Sequence, residues 1–192
     1  VAEVMMSLAV LTISAVGVVA MQKATVIGNA ASRNLTVAQN VGATWVERLR
    51  ADAVQWTNKD STSIDKTRWL KEVGNDYPTI AGNEGRWFRP AVDSAFGVSP
   101  ESDVRGYDVF DGKGVGFCTH LRLEQIQPNL IRADVRIVWR RVGTSTNMPG
   151  ELKGKALCST DQAYIDALST EAAREFFHFV NLSSGILRNE LE

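Results

Sequence analysis

The sequence predicts an α+β fold, a long N-terminal α-helix packed on an antiparallel β-sheet of about four strands. Three observations predict it. Residues 4–22 carry no charge. The apolar residues after them recur every three or four positions, with no proline before Pro78. Residues 117–140 hold two alternating runs around a Gln-Pro-Asn turn signal. The bulk composition hides this division: 192 residues, 44% hydrophobic, 22% charged, net charge −1, all ordinary for a soluble domain. Such a length buries a substantial core. The composition excludes a disordered chain and a disulfide-dense mini-scaffold, and the near-neutral charge excludes a nucleic-acid binder driven by bulk basicity.

Between Glu3 and Lys23 the chain reads Val4-Met5-Met6-Ser7-Leu8-Ala9-Val10-Leu11-Thr12-Ile13-Ser14-Ala15-Val16-Gly17-Val18-Val19-Ala20-Met21-Gln22. A membrane-spanning helix needs roughly 20 mostly apolar residues, so this run is just long enough. A buried core helix is the alternative, but the apolar character goes all the way round, whereas a core helix usually shows a polar stripe. A secretory signal peptide fits less well, because no basic residue precedes the run and no small-x-small site ends it.

The helical pattern continues. Ile27, Ala31, Ala38, Val41, Trp45, Leu49 and Trp56 recur at helical spacing, with Asn29, Arg33, Asn40, Glu47 and Arg48 between them. One helix of about fifty residues, about 75 Å long, is expected. Gly17, Gly28 and Gly42 are its soft points. The expected organisation is a membrane-embedded half over residues 1–22, an amphipathic half over 23–56 and a globular αβ domain over 57–192. Glu3 stands out. A carboxylate in a bilayer costs on the order of 2.5–3.5 kcal/mol. At a helix start it interacts favourably with the macrodipole, or it pairs with a positive group such as the α-amine of a neighbouring chain.

Beyond the helix, residues 57–63 read as a polar loop, and Tyr77-Pro78 and Gly82-Asn83-Glu84-Gly85 as turns. A short helix over 63–73 would place Ile64, Thr67, Trp69 and Leu70 on its apolar side. The central hairpin pairs Phe117, Thr119, Leu121 and Leu123 with the run 130–140. Ile131, Ala133, Val135, Ile137 and Trp139 are expected to face the core, and Arg132, Asp134, Arg136 and Arg140 to face water. With 127–129 as the loop, Leu121 meets Val135 and Phe117 meets Trp139. Glu124 then meets Arg132, and Arg122 meets Asp134, the opposite-charge pairing that stabilises adjacent strands. Residues 105–110, 86–89 and 155–158 are further strand candidates, the first joined to the hairpin by Asp111-Gly112. Residues 161–169 and 170–180 read as helices, with Ser169 or Thr170 as a cap. The five tryptophans, at 45, 56, 69, 87 and 139, are expected to pack in the core or on the sheet.

No catalytic constellation is found: no Gly-x-Ser-x-Gly, no His-Glu-x-x-His and no phosphate loop. His120, on the solvent face of its strand, and His178, in the last helix, are expected to be surface or packing residues. Asp108, Asp111 and Gly112 lack the spacing of a calcium loop. Cysteine and histidine are too few for a metal site, so neither metal nor cofactor is expected. Arg140-Arg141 is too short to argue for nucleic acid.

The N-terminus resembles that of mature type IV pilins and type II secretion pseudopilins, on Ala2-Glu3-Val4-Met5. Ser7-Leu8-Ala9-Val10-Leu11, Gly17-Val18-Val19-Ala20-Met21-Gln22, Ala38-Gln39-Asn40 and Glu47-Arg48-Leu49-Arg50-Ala51 are similar to the PilV-type minor pilins, the type IV pilus modification group. The tail around Phe179-Val180-Asn181-Leu182 resembles theirs more distantly. In that family the glutamate stands fifth in the mature chain, after an N-methylated Phe and usually a Thr; here it is third.

The resemblance implies the type IV pilin fold and a structural, non-enzymatic role. The chain would sit in the inner membrane with a periplasmic domain, then enter a pilus as a minor pilin that primes assembly. Implied partners are the major pilin, other minor pilins, a tip adhesin and the inner-membrane assembly machinery, with adhesion and twitching motility as the processes served. Glu3 would pair with the N-terminal amine of an adjacent subunit. A pseudopilin of a secretion system shares this helix, and a bitopic membrane sensor or binding domain is the alternative from another class. A periplasmic setting would oxidise Cys118 and Cys158 to a disulfide, the alternative being two unpaired buried thiols.

Overall fold

The computed structural model describes residues 2–56, 61–73, 85–142 and 148–188, and no side chains at 7–10, 13 or 61–63. Residues 57–60 of the loop expected over 57–63, the turn at 77–78 and residues 82–84 of the turn expected over 82–85 lie outside these residues; Ser61–Ser63 belong to a 3₁₀ helix instead of the loop. The fold is α+β, with a long N-terminal helix and a four-stranded antiparallel sheet. Compact units divide between Thr36 and Val37.

Helix α1 runs Ala2–Ala53 without interruption. Three short-range bonds tighten its end, from the N–H groups of Val54, Gln55 and Trp56 to the carbonyls of Ala51, Asp52 and Ala53. Within the second unit its buried positions are Ala38, Val41, Trp45, Val46, Leu49 and Ala53, with Trp56 just beyond, as the helical spacing requires. Gly42 allows a close approach: a Cβ there would collide with the Leu182 side chain. Ile27 and Ala31, expected on the apolar stripe, are exposed.

The sheet order is β1 (Glu101–Ser102), β2 (Phe117–Gln127), β3 (Leu130–Arg140), β4 (Phe177–Leu187), a simple meander. Leu121 pairs with Val135, Arg122 with Asp134 and Glu124 with Arg132, the register the charge pattern predicts. The Phe117 and Trp139 rings lie 5.7 Å apart. The turn differs: only Pro128 and Asn129 form it, and a register shift between Gln125 and Gln127 accommodates the remaining residue.

One sheet face carries Leu121, Leu123, Ile131, Ala133, Val135, Ile137 and Ile186 against Trp45, Leu49, Trp69 and Leu70. Asp52 ties the next segment to this layer. Its buried carboxylate accepts the backbone N–H groups of Arg68, Trp69 and Leu70 at 2.7, 2.8 and 3.1 Å. Those groups open the 3₁₀ helix Leu70–Val73; a first one, Ser61–Lys66, precedes it, so the short helix expected over 63–73 is split.

The other sheet face is not solvated where water was expected. Met148, Leu152, Leu157, Tyr164, Ile165, Leu168 and Ala173 form a second core over Cys118, Val138 and Phe177. Arg132 and Arg140 stay exposed, but Asp134, Arg136 and His120 are buried at 4%, 3% and 0% exposure. The polar alternation marks a face, and the layer over it decides whether that face meets water.

Of five further elements, helix α2 agrees with expectation and four differ. Helix α2 spans Gln162–Ala167, capped by Asp161, which accepts the Ala163 N–H. Residues 171–175 form a 3₁₀ turn, and 177–187, expected to begin as helix, are β4, so His178 lies on a strand. Thr170 precedes that turn but makes no side-chain cap bond. Residues 103–107 form a turn, in which the Asp103 carboxylate accepts the N–H groups of Arg105 and Tyr107 and Gly106 takes a positive φ of 92°; of the strand expected at 105–110 only a single bridge forms, Asp108 to Ser102. Residues 86–89 contribute a single bridge, Phe88 to Leu121, and 155–158 hold a turn at 157–158 and no strand.

Candidate functional site

Glu3 lies exposed in the first turn of α1, where its charge complements the helix dipole. Beyond it the large apolar side chains described in the uncharged run are exposed. Val4, Met5, Met6, Leu11, Val16, Val18, Val19 and Met21 are each between 56% and 74% exposed. Apolar surface of this extent, on all sides of one helix, calls for lipid or protein around it. Among the described residues no helix is long and apolar enough to cross a membrane. The side chains of 7–10 and 13, in the middle of the run, fall outside that set.

The second unit holds the other feature, a polar cluster enclosed between the sheet and α2. Cys118 and Cys158 are brought together as a disulfide with Cα atoms 5.2 Å apart, closing a separation of 40 residues. The sequence left a disulfide and two free thiols open; the structure has the disulfide. Beside it, Arg89 places Nε 3.4 Å from Cys158 Sγ and pairs with Glu101 at 2.8 Å. His120 Nε2 lies 3.8 Å from Cys118 Sγ. Across the strand from His120, Arg136 donates to Ser169 Oγ at 2.9 Å and to the Ile165 carbonyl at 3.3 Å. The Arg122 guanidinium pairs with Asp134 at 2.7 Å, and the Ser183 hydroxyl donates to the same carboxylate. Arg122 and Arg136 stack on Trp87, 4.9 and 4.4 Å from its ring centre.

Burial opposes ionisation of Asp134, but Ser183, Arg122 and Arg132 outweigh it and hold its carboxyl below the usual range. Burial, helped by Arg122, lowers Arg136 to about 10. Burial likewise pushes the His120 imidazole well below its ordinary value, and the cations of Arg136 and Arg89 add to this. This cluster ties α2 and β4 to the sheet through charge-assisted bonds. Sequence reading found the Arg122–Asp134 pair but missed its closure by Ser183, Arg136 and Trp87, which come from segments distant in the chain.

A pH dependence follows. Folded His120 is neutral and the unfolded side chain takes a proton near pH 6.5. The unfolded state therefore binds more protons below that point, and stability falls as pH drops from about 6.5 toward the folded value. His178, lowered by burial and Arg141, acts in the same direction. Denaturant midpoints measured from pH 8 to pH 5 are expected to decline on this limb, and less so in His120→Leu.

Elsewhere, a cleft of about 590 Å³ is lined by Arg68, Lys71, Glu72, Phe88, Arg89 and Asp93 among others. Its Arg68 is engaged, paired with Asp93 at 3.1 Å and stacked on Phe96. Asp108, weighed above as part of a calcium loop, binds Arg48 through both carboxylate oxygens. Among the described residues no group of three or more His, Cys, Asp or Glu could hold a metal ion. The chain matches no family model, no curated protein and no solved structure.

Proposed function

We propose that this chain is a minor pilin of the PilV type, a structural subunit of the type IV pilin superfamily. It is held in the inner membrane by residues 4–22 before assembly and then enters a pilus, in a tip complex with other minor pilins and an adhesin. The observation that carries the reading is one continuous helix with two characters. Its first part is uncharged, exposed and headed by Glu3; its last part packs a regular stripe on a four-stranded antiparallel sheet. A helix of this kind has two apolar environments, bilayer and filament core, and passes from one to the other without refolding. The resemblance of residues 2–22 and 38–51 to minor pilins supports the same reading, and the disulfide suits an oxidising compartment.

The anchor is tested by fractionation. The chain is expected in membranes after high-salt and alkaline washes. Val16→Lys with Val19→Lys is expected to release it, since each buried charge costs about 2.5–3.5 kcal/mol. Both residues are well exposed, so the soluble domain keeps its fold. A wild-type chain found in the soluble fraction would refute the anchor.

A further inference from the structure

The polar cluster between the sheet and α2 carries an inference independent of the pilin reading. His120 and Arg136 oppose each other on β2 and β3. Both are buried, at 0% and 3% exposure. Directly opposed residues of an antiparallel pair hold their Cβ atoms about 4.5–5.5 Å apart on one face. Each side chain has one end engaged and one nitrogen orphaned. Arg136 uses its terminal nitrogens on Ser169 Oγ and the Ile165 carbonyl, and His120 sets Nε2 against Cys118 Sγ. Arg136 Nε and His120 Nδ1 have no hydrogen-bond partner among the described residues. Buried polar atoms are normally satisfied, so two orphans on neighbouring side chains point to a bound group that meets both.

Charge decides the kind of group. Arg89 and Arg122, the other cations of the cluster, each bind a carboxylate of their own, Glu101 and Asp134. Arg136 binds a hydroxyl, a carbonyl and the Trp87 ring, none of them charged. The acid that acts on it from α2, Asp166, is 43% exposed and bound to Arg86. Asp134, two residues along β3, already accepts from Arg122, Arg132 and Ser183. Buried charges are normally paired. A water molecule would meet the two nitrogens and leave the cation uncompensated, whereas an anion does both.

We propose that Arg136 Nε and His120 Nδ1 hold a small monovalent anion of the halide class, a structural ion inside the soluble domain. Arg136 supplies an N–H donor and the positive charge. Neutral His120 donates from Nδ1, and its unprotonated Nε2 is the nitrogen beside Cys118 Sγ. The ion joins β2 to β3 next to the disulfide. It also fixes the Arg136 guanidinium, whose other two bonds hold residues 165 and 169 of the covering layer.

The test uses the full chain in detergent micelles at about pH 8, where histidine is neutral folded and unfolded alike. Thermal midpoints are measured in sodium chloride, sodium bromide and sodium gluconate at equal ionic strength. Gluconate, too bulky for an enclosed site, is the reference. Chloride and bromide are expected to raise the midpoint with concentration, by roughly 5 °C at a hundred times the dissociation constant. The NMR resonance of Arg136 Nε–H is expected to shift between gluconate and chloride. Arg136→Leu removes the charge and is expected to abolish the halide dependence. His120→Leu removes one donor and is expected to move that dependence to about tenfold higher halide or beyond. It keeps the Arg136 bonds to Ser169 and Ile165, and serves if the arginine variant does not fold. Equal midpoints in all three salts overturn the proposal, the result expected if water alone serves the two nitrogens. So does an Nε–H resonance that chloride leaves unmoved, or a halide dependence unchanged in either folded variant.

Discussion

Replacing Glu3 with alanine is expected to keep the chain out of filaments while its soluble domain stays folded. If residues 4–22 pack into an apolar filament core, the carboxylate at their head enters it as well. A buried charge without a partner is costly, and a neighbouring subunit's terminal amine meets that need. Removing one member of a buried ion pair strands the other, at about 3–5 kcal/mol. At about 1.4 kcal/mol per tenfold in an equilibrium, incorporation falls a hundredfold or more. Glu3 is exposed in the first turn of α1, so folding of the second unit does not depend on it. Incorporation is read as the amount of chain per main subunit in sheared filaments, alongside an unchanged thermal midpoint. Glu3→Ala at wild-type levels in filaments would contradict the pairing.

Removing the disulfide is expected to have the largest effect on the soluble domain. A bridge across 40 residues stabilises by about 4 kcal/mol in the chain-entropy model. For a chain of this size that is a fall in midpoint of roughly 10 °C. The double variant Cys118→Ala/Cys158→Ala avoids a lone buried thiol. Its midpoint is expected to match that of the wild-type chain under reductant and to be insensitive to reductant itself. The loss should concentrate where the bridge acts. Cys158 ties the turns before α2 to β2, so hydrogen exchange should quicken over 155–168 before it does in β2 and β3. Equal midpoints with and without the bridge would show that the second core holds this layer unaided.

The legible parts of the fold were those encoded locally. Uncharged and then periodic residues define α1, and alternation with matched charges fixes the register of β2 on β3 down to Arg122–Asp134. β4 was read partly as helix because its signal is weak within the segment. Its strand state comes from pairing all along β3, a contact some fifty residues distant in sequence. Its lack of charge and its Ser-Ser-Gly stretch, poor for a helix, were the available clues. Asp134, Arg136 and His120 were assigned to water because polarity on alternate positions looks the same under solvent and under a layer that satisfies it. That layer is built from 148–177, where Ser169 and the Ile165 carbonyl accept from Arg136, while Asp134 is satisfied from within the sheet by Ser183 of β4. The strand expected at 105–110 shrinks to the Asp108 bridge because Asp103, outside that window, bends the chain over 103–107. Glu3 was legible as an anomaly, and its role rests on a partner that a single chain does not contain.

The central claim is that this chain is a filament subunit. Its most direct test is quantitative mass spectrometry of filaments sheared from cells, with isotope-labelled peptides of this chain and of the main subunit as standards. The minor-pilin account expects the chain in the sheared fraction, at a small fraction of the main subunit and dependent on Glu3. Recovery from the membranes of piliated cells alone, with none in the sheared filaments, would contradict it.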